Sequence, residues 1–252
     1  MEGILLEERP APGVALLRLH RPAVLNALNL ALRRRLAEAF TRLDADAEVR
    51  VIVLAGSERA FCAGADLQEY VDAGPIEIAD RNMGALWDAI ARCSKPVIAA
   101  VRGHALGGGC ELAMHADILL AGEGARFGQP EVLIGLMPGG GATQRLVRAV
   151  GKFRAMRLLM SGEPFTAEAA LQMGLASEVV PDAEVEVRAI QLAAQLAKGP
   201  QHALRFIKQA VIEGMNLPLQ QGLEFERKCF QLLFATADKT EGIRARLAKK
   251  KG

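Results

Sequence analysis

The sequence predicts an α/β body followed by a helical tail, and three observations predict it. Short apolar runs alternate with amphipathic stretches through the first half of the chain. Three helical patterns in succession follow Pro181, with nothing strand-like beyond Val180. Three connecting segments are rich in glycine.

Taken in order, Val14-Ala15-Leu16-Leu17-Arg18-Leu19 reads as a buried strand that Arg21-Pro22 ends. Leu28 to Leu43 reads as a helix: Leu28, Leu32, Leu36, Phe40 and Leu43 recur at three-to-four spacing, with Arg33, Arg34, Arg35 and Glu38 around them. Val49 to Leu54 is the next strand, closed by Gly56. Val97 to Val101 and Ile118 to Ala121 are two more short apolar runs, bounded by Pro96 and Gly122. Beyond Pro181, Glu184 to Lys198, Gln201 to Gly214 and Leu217 to Phe234 carry helical periodicity, with breaks at Gly199-Pro200 and at Asn216 to Pro218.

Bulk composition narrows the functional classes. Hydrophobic residues make up 51% and charged residues 24%, the balance of a globular chain. The formal charge of +2 is too small to argue for nucleic acid or an anionic membrane surface. Met1 to Leu6, followed by Glu7 and Glu8, has no basic-then-apolar start, so no secretory signal is expected. The longest apolar runs are too short to cross a bilayer. Cys62, Cys93, Cys110 and Cys229 show no metal-ligand spacing, so no metal site is expected; the thiols read as reduced, in a cytoplasmic protein.

The glycine-rich stretches are Phe61 to Leu67, Gly103 to Glu111 and Gly135 to Gly141. None fits a phosphate-binding Gly-x-x-x-x-Gly-Lys pattern, a dinucleotide fingerprint, a Gly-x-Ser-x-Gly elbow or His-Glu-x-x-His. In the second, Gly107 to Gly109 lead into what reads as a helix start. Its first N–H groups lack intrahelical acceptors and sit at the positive end of the dipole. Glu111 lies in that first turn, so its carboxylate can be held near a spot suited to an oxyanion. The same residues also fit an ordinary capped turn. Glu131, in Phe127-Gly128-Gln129-Pro130-Glu131-Val132-Leu133, fits a helix cap as well. Its neighbours are almost all apolar, and desolvation there would raise its pKa and suit it to proton transfer.

With these segments in view, the chain resembles the crotonase (enoyl-CoA hydratase/isomerase) superfamily, and within it the hydrating members. The likeness runs from Leu19-His20-Arg21-Pro22 and Leu25-Asn26-Ala27-Leu28 to Phe234-Ala235-Thr236. Its most specific runs are Ala63 to Leu67, Lys95 to Val101, Ala105 to Glu111, Phe127 to Glu131 and Pro138 to Leu146. The resemblance implies a ClpP-like superhelix of repeated ββα units over residues 1–195. A helical oligomerisation region over 196–252 would form homotrimers that commonly pair into hexamers. It implies an oxyanion hole of two backbone N–H groups, here Ala65 and Gly108, and two glutamates that clasp one water, here Glu111 and Glu131. Glu111 would chiefly direct water to C3 and Glu131 chiefly deliver the proton to C2. The implied reaction is syn hydration of a trans-2-enoyl-CoA to the 3-hydroxyacyl-CoA, as in fatty-acid β-oxidation. No dissociable cofactor is implied, because coenzyme A arrives as part of the thioester.

For the CoA body the resemblance points to Val24, Leu25 and Ala27 along one wall, and to Ala63, Asp66 and Leu67 around the adenine and pantetheine. Arg59 would meet phosphate, with Phe230 and Lys249 contributed from the tail of a neighbouring subunit. Relatives often carry basic residues where this chain has Ala23 and Gln68, so no phosphate contact is expected at either. Neither His104 nor His115 is given a catalytic role.

The rival readings are a Δ3,Δ2-enoyl-CoA isomerase, a branched (methylglutaconyl-type) hydratase, an RNA-binding protein of the same fold and a Clp-type peptidase. Near-zero net charge, one Trp and one Tyr argue against RNA binding. The absence of serine from any nucleophile motif argues against a peptidase.

Overall fold

The computed structural model describes residues 3–249, and its strands fall into two sheets. The chain opens on a hairpin in which β1 (Leu5–Ala11) runs antiparallel to β2 (Val14–Leu19). Helix α1 (Leu30–Ala45) follows, capped by Asn29, whose side chain accepts from the Leu32 N–H. Three turns of similar plan come next. The first is β3 (Val51–Ala55), β4 (Ala60–Cys62), α2 (Pro75–Asp80) and α3 (Met83–Ala91). The second is β5 (Val97–Val101), β6 (His104–Leu106) and α4 (Gly108–Ala113). The third is β7 (Ile118–Gly122), β8 (Arg126–Gly128), α5 (Ala142–Val150) and α6 (Lys152–Ser161). The body closes with β9 (Phe165–Thr166), α7 (Ala167–Met173), β10 (Glu178–Val180) and α8 (Val185–Ala197). The tail is α9 (Gln201–Gly214), α10 (Leu219–Leu233) and α11 (Ala237–Ala248).

In the first sheet β2, β3, β5, β7 and β10 lie side by side and parallel, with β1 on the edge. In the second, β4, β6 and β8 are parallel and β9 closes antiparallel. Each turn therefore lays its first strand beside the first strand of the turn before, and its second strand beside the second. That is the expected superhelix of ββα units.

Period-two packing on two covered faces explains why these strands are continuous apolar runs. Ala15, Leu17, Ile52 and Leu54 join the cluster that holds Leu32, Leu36 and Phe40 of α1. The alternating Val14, Leu16, Val51 and Val53 pack instead against Val185, Ala189, Ala193 and Ala197 of α8. The division expected after residue 195 falls inside α8, whose Ala197 still packs on the sheet.

Three departures from the sequence reading have physical causes. Strand β1 is an edge strand with Glu7, Glu8, Arg9 and Pro10 exposed, so it carries no apolar signal. Strands β4, β6, β8 and β9, of three residues or fewer, are too short for a period to show. Arg33, grouped in sequence with the polar face of α1, is buried, while Arg34 and Arg35 are exposed. No helix among the described residues is long and apolar enough to cross a membrane.

Candidate active site

The turn from β6 into α4 is built on glycines, two of which are required by conformation or close approach. Gly107 has φ +49, and its N–H donates to Gly128 O at 2.8 Å. A Cβ on Gly109 would lie 2.0 Å from Cys62 O, so α4 can start only where a glycine passes β4. Gly108 is the first helical residue, and its N–H has no intrahelical acceptor. Facing it, the Leu28 N–H donates to Gly64 O at 2.7 Å and the Asp66 N–H donates to Leu28 O at 3.1 Å. This pairing leaves the Ala65 N–H between them without an acceptor among the described residues. A methyl on Gly108 would stand 3.7 Å from Ala65 N, so the two backbones pass close to each other.

Glu111 enters the same space from the first turn of α4. It is only 3% exposed, and its Oε1 accepts from the Gly140 N–H at 2.7 Å and the Ala142 N–H at 3.0 Å. Burial pushes its carboxyl above the ordinary range; the Ala142 and Gly140 donors and the Arg33 charge hold part of that rise back. The other oxygen, Oε2, would meet a Cβ placed on Gly140 at 2.7 Å, so glycine keeps that side of the carboxylate open.

Glu131 sits in the 3-10 turn Pro130–Ile134, with Pro130 at its start. It is half-buried, and its Oε1 lies 2.9 Å from where a Cβ on Gly107 would be, at the mouth of α4. Its carboxyl is pushed up to about 7, chiefly by desolvation, with the neighbouring Glu111 charge adding to the rise. The expected shift is present, but its apolar neighbours are not the cause: Val132, Leu133 and Ile134 face outward and are exposed. Beneath the carboxylate lies Gln129, which is fully buried. With its amide nitrogen turned toward Glu131 it donates to Oε1 at 3.1 Å and to Oε2 at 3.2 Å.

Sequence reasoning passed over the residues that line the rest of this space. Trp87 stacks on His115 with ring centroids 4.8 Å apart, and the Arg33 guanidinium lies 5.1 Å from the Trp87 centroid. His115 Nδ1 lies 2.8 Å from Glu111 O, and burial pushes the imidazole down to about 4, so it is neutral. His104 is exposed, on the β6 side of the turn.

The segment expected to line the CoA body is a pinned turn. Leu25 and Asn26 hold left-handed φ of 51 and 59. The buried Asn26 amide fixes them, donating to Ala60 O at 2.9 Å and Phe61 O at 3.2 Å, while its Oδ1 accepts from the Arg21 N–H at 2.8 Å. The Ala63 N–H donates to Leu25 O at 3.0 Å, tying the two walls together. Val24 and Leu67 are exposed; Leu25, Ala27, Ala63 and Asp66 are partly so. Asp66 is ion-paired with Arg21 at 3.1 Å, so its carboxylate shapes the turn. Arg59 is exposed. Phe230 is 61% exposed on α10, edge-on to Phe234, and Lys249 is exposed at the end of α11. No hydrogen bond or ion pair among the described residues joins either of these two to the cleft. A separate cavity of about 400 Å³, lined by Arg18, His20, Ser57, Arg102 and Glu186 among others, holds neither glutamate.

Known proteins match this chain almost throughout. The family model described as enoyl-CoA hydratase/isomerase matches residues 9–252. A Rhizobium meliloti (strain 1021) protein named a probable enoyl-CoA hydratase is 47% identical, over 94% of this chain and 93% of its own. The 2,3-dehydroadipyl-CoA hydratase of Escherichia coli (strain K12) is 45% identical over 94% and 93%. Among solved structures, an enoyl-CoA hydratase subunit I from Geobacillus kaustophilus HTA426 superposes with a TM-score of 0.95 at 42% identity, covering 98% of this chain and 96% of the other.

Proposed function

Because the chain belongs to the enoyl-CoA hydratase/isomerase family, we propose that it hydrates trans-2-enoyl-CoA thioesters to 3-hydroxyacyl-CoA by syn addition. One observation supports the reading: two carboxylates in unlike environments, Glu111 against Gly140 and Glu131 against Gly107, are near enough for the charge of one to act on the other, beside two amides without acceptors. In this reading the thioester oxygen lies between the Ala65 and Gly108 N–H groups. These stabilise the negative charge it gains as C3 is attacked, a donor of this kind being worth roughly 3–4 kcal/mol. Glu111 Oε2 takes a proton from water as the water oxygen bonds to C3. Electrons move to the enolate, and Glu131 gives its proton to C2. The proton left on Glu111 returns to Glu131 through solvent, which restores both groups.

The unlike environments support the division of labour. Glu111 is held by two N–H donors and a nearby guanidinium, which favour the carboxylate form a base needs. Glu131, lifted to about 7, keeps its proton in about half of the molecules at neutral pH, which leaves it able to serve as the acid. Coenzyme A enters with its substrate, along the wall of Val24, Leu25, Ala27, Ala63, Asp66 and Leu67. Arg59 would meet phosphate, and Phe230 and Lys249 would come from a neighbouring subunit. We read the exposed apolar side chains of α9 and α10, such as Ile207, Val211, Leu219 and Leu232, as subunit interfaces of a homotrimer that pairs into a hexamer. The setting is cytoplasmic fatty-acid oxidation.

Product identification tests the reaction. Crotonyl-CoA should give 3-hydroxybutyryl-CoA, and a 3-enoyl-CoA should be a poor substrate. Fast conversion of the 3-enoyl to the 2-enoyl thioester without hydration would replace this reading by isomerisation. Light scattering of the purified protein tests the trimer or hexamer.

A further inference from the structure

Arg33 differs from every other arginine of α1. It is 7% exposed, its Nε is buried without a partner, and its side chain makes no hydrogen bond or ion pair among the described residues. Filling the space between α1 and α3 does not require a charge. A leucine or methionine would do it without the penalty of taking a guanidinium out of water. What the charge faces is the cleft. Nη2 lies 3.4 Å from the point where a Cβ on Gly108 would be, and the guanidinium is stacked over Trp87, whose ring edge and Glu111 Oε2 border the same point beside Gly140.

We propose that Arg33 is a positioning residue for charge: it keeps the Glu111 carboxylate ionised and draws electron density toward the thioester oxygen beside Gly108. This rests on the hydratase reading of the site. The other groups whose charge bears on Glu111 are Arg145 from α5 and Glu131 from the Pro130 turn. His115 at the end of α4 is neutral, and Asp88 of α3 acts on Arg145 and His115. Of the two cations near Glu111, Arg33 is the one set against the amide that receives the oxyanion. A cation near a buried carboxylate favours its ionised form and lowers the pH at which it titrates.

The test compares Arg33→Met, which removes the charge at similar length, with Arg33→Lys, which keeps it and loses the planar stack. Arg33→Gln serves as the neutral variant if the methionine protein does not fold by circular dichroism. The acid limb of kcat/KM for crotonyl-CoA should move up by about one pH unit in the neutral variant and stay near the wild-type position in Arg33→Lys. A bound 4-(dimethylamino)cinnamoyl-CoA, a push–pull thioester, should lose most of its red shift in the neutral variant and keep it in Arg33→Lys. An unchanged limb and spectrum in the neutral variant, or equal losses in both, would overturn the proposal. A wild-type protein that reddens the probe but does not hydrate would instead overturn the hydratase reading and leave Arg33 standing.

Discussion

Glu111 and Glu131 share a cleft but not an environment. Glu111 grows out of a helix start that Gly109 brings against β4, and two backbone donors hold one of its oxygens. Glu131 stands on a short 3-10 turn whose apolar neighbours face away, with one buried amide beneath it. Both are lifted by burial, Glu131 to about 7; for Glu111 the Ala142 and Gly140 donors and the Arg33 charge hold part of the rise back, while for Glu131 the Glu111 charge adds to it. In the proposed reaction this difference would separate base from acid with the same side chain: backbone donors and a nearby cation on Glu111, desolvation and a neighbouring negative charge on Glu131.

The most severe way to break the comparison is to remove either carboxylate. Glu111→Gln and Glu131→Gln should each lower the hydration rate roughly 10²–10⁴-fold while binding of the product thioester survives. Steady-state rates with calorimetric binding would check this. A milder break keeps both acids and moves one. Gly140→Ala places a methyl 2.7 Å from Glu111 Oε2 and from Trp87, so Glu111 must shift; a loss of about 10–100-fold in kcat is expected, with KM changed far less.

The smallest effect is on stability, and its sign is distinctive. Glu131 has a folded pKa near 7 and a lower unfolded value, so the folded state keeps a proton that the unfolded state releases. Wild-type stability is therefore lost as pH rises from the ordinary carboxylate range through 7. Glu131→Gln should be more stable than wild type above pH 7, by about 1–2 kcal/mol after allowance for its partial exposure, and no more stable near pH 4. Urea unfolding at the two pH values measures it.

Much of the body was legible in sequence wherever packing imposes a period. Val97–Val101 and Gln201–Gly214 match β5 and α9 end to end, because β5 is buried on both faces and α9 carries an amphipathic stripe between Pro200 and the break after Gly214. The second sheet was not legible, since its strands are too short to show a period, and β6 lies inside a glycine run whose residues serve close approach rather than packing. The candidate site shows the same split. The glycine-rich stretches stood out by composition, while Glu111 and Glu131 also fitted ordinary helix caps and were singled out by the family resemblance. Arg33, Trp87 and Gln129 did not stand out, because a charge, a ring or an amide inside an amphipathic pattern carries no mark of which group it will face once α1 and α3 close on α4.

The division between base and acid is tested most directly by infrared titration of the carboxyl bands, with Glu131→Gln as the difference standard. A band that titrates near pH 7 and vanishes in Glu131→Gln is the expected result. Two glutamates that both ionise in the ordinary carboxylate range would contradict the account.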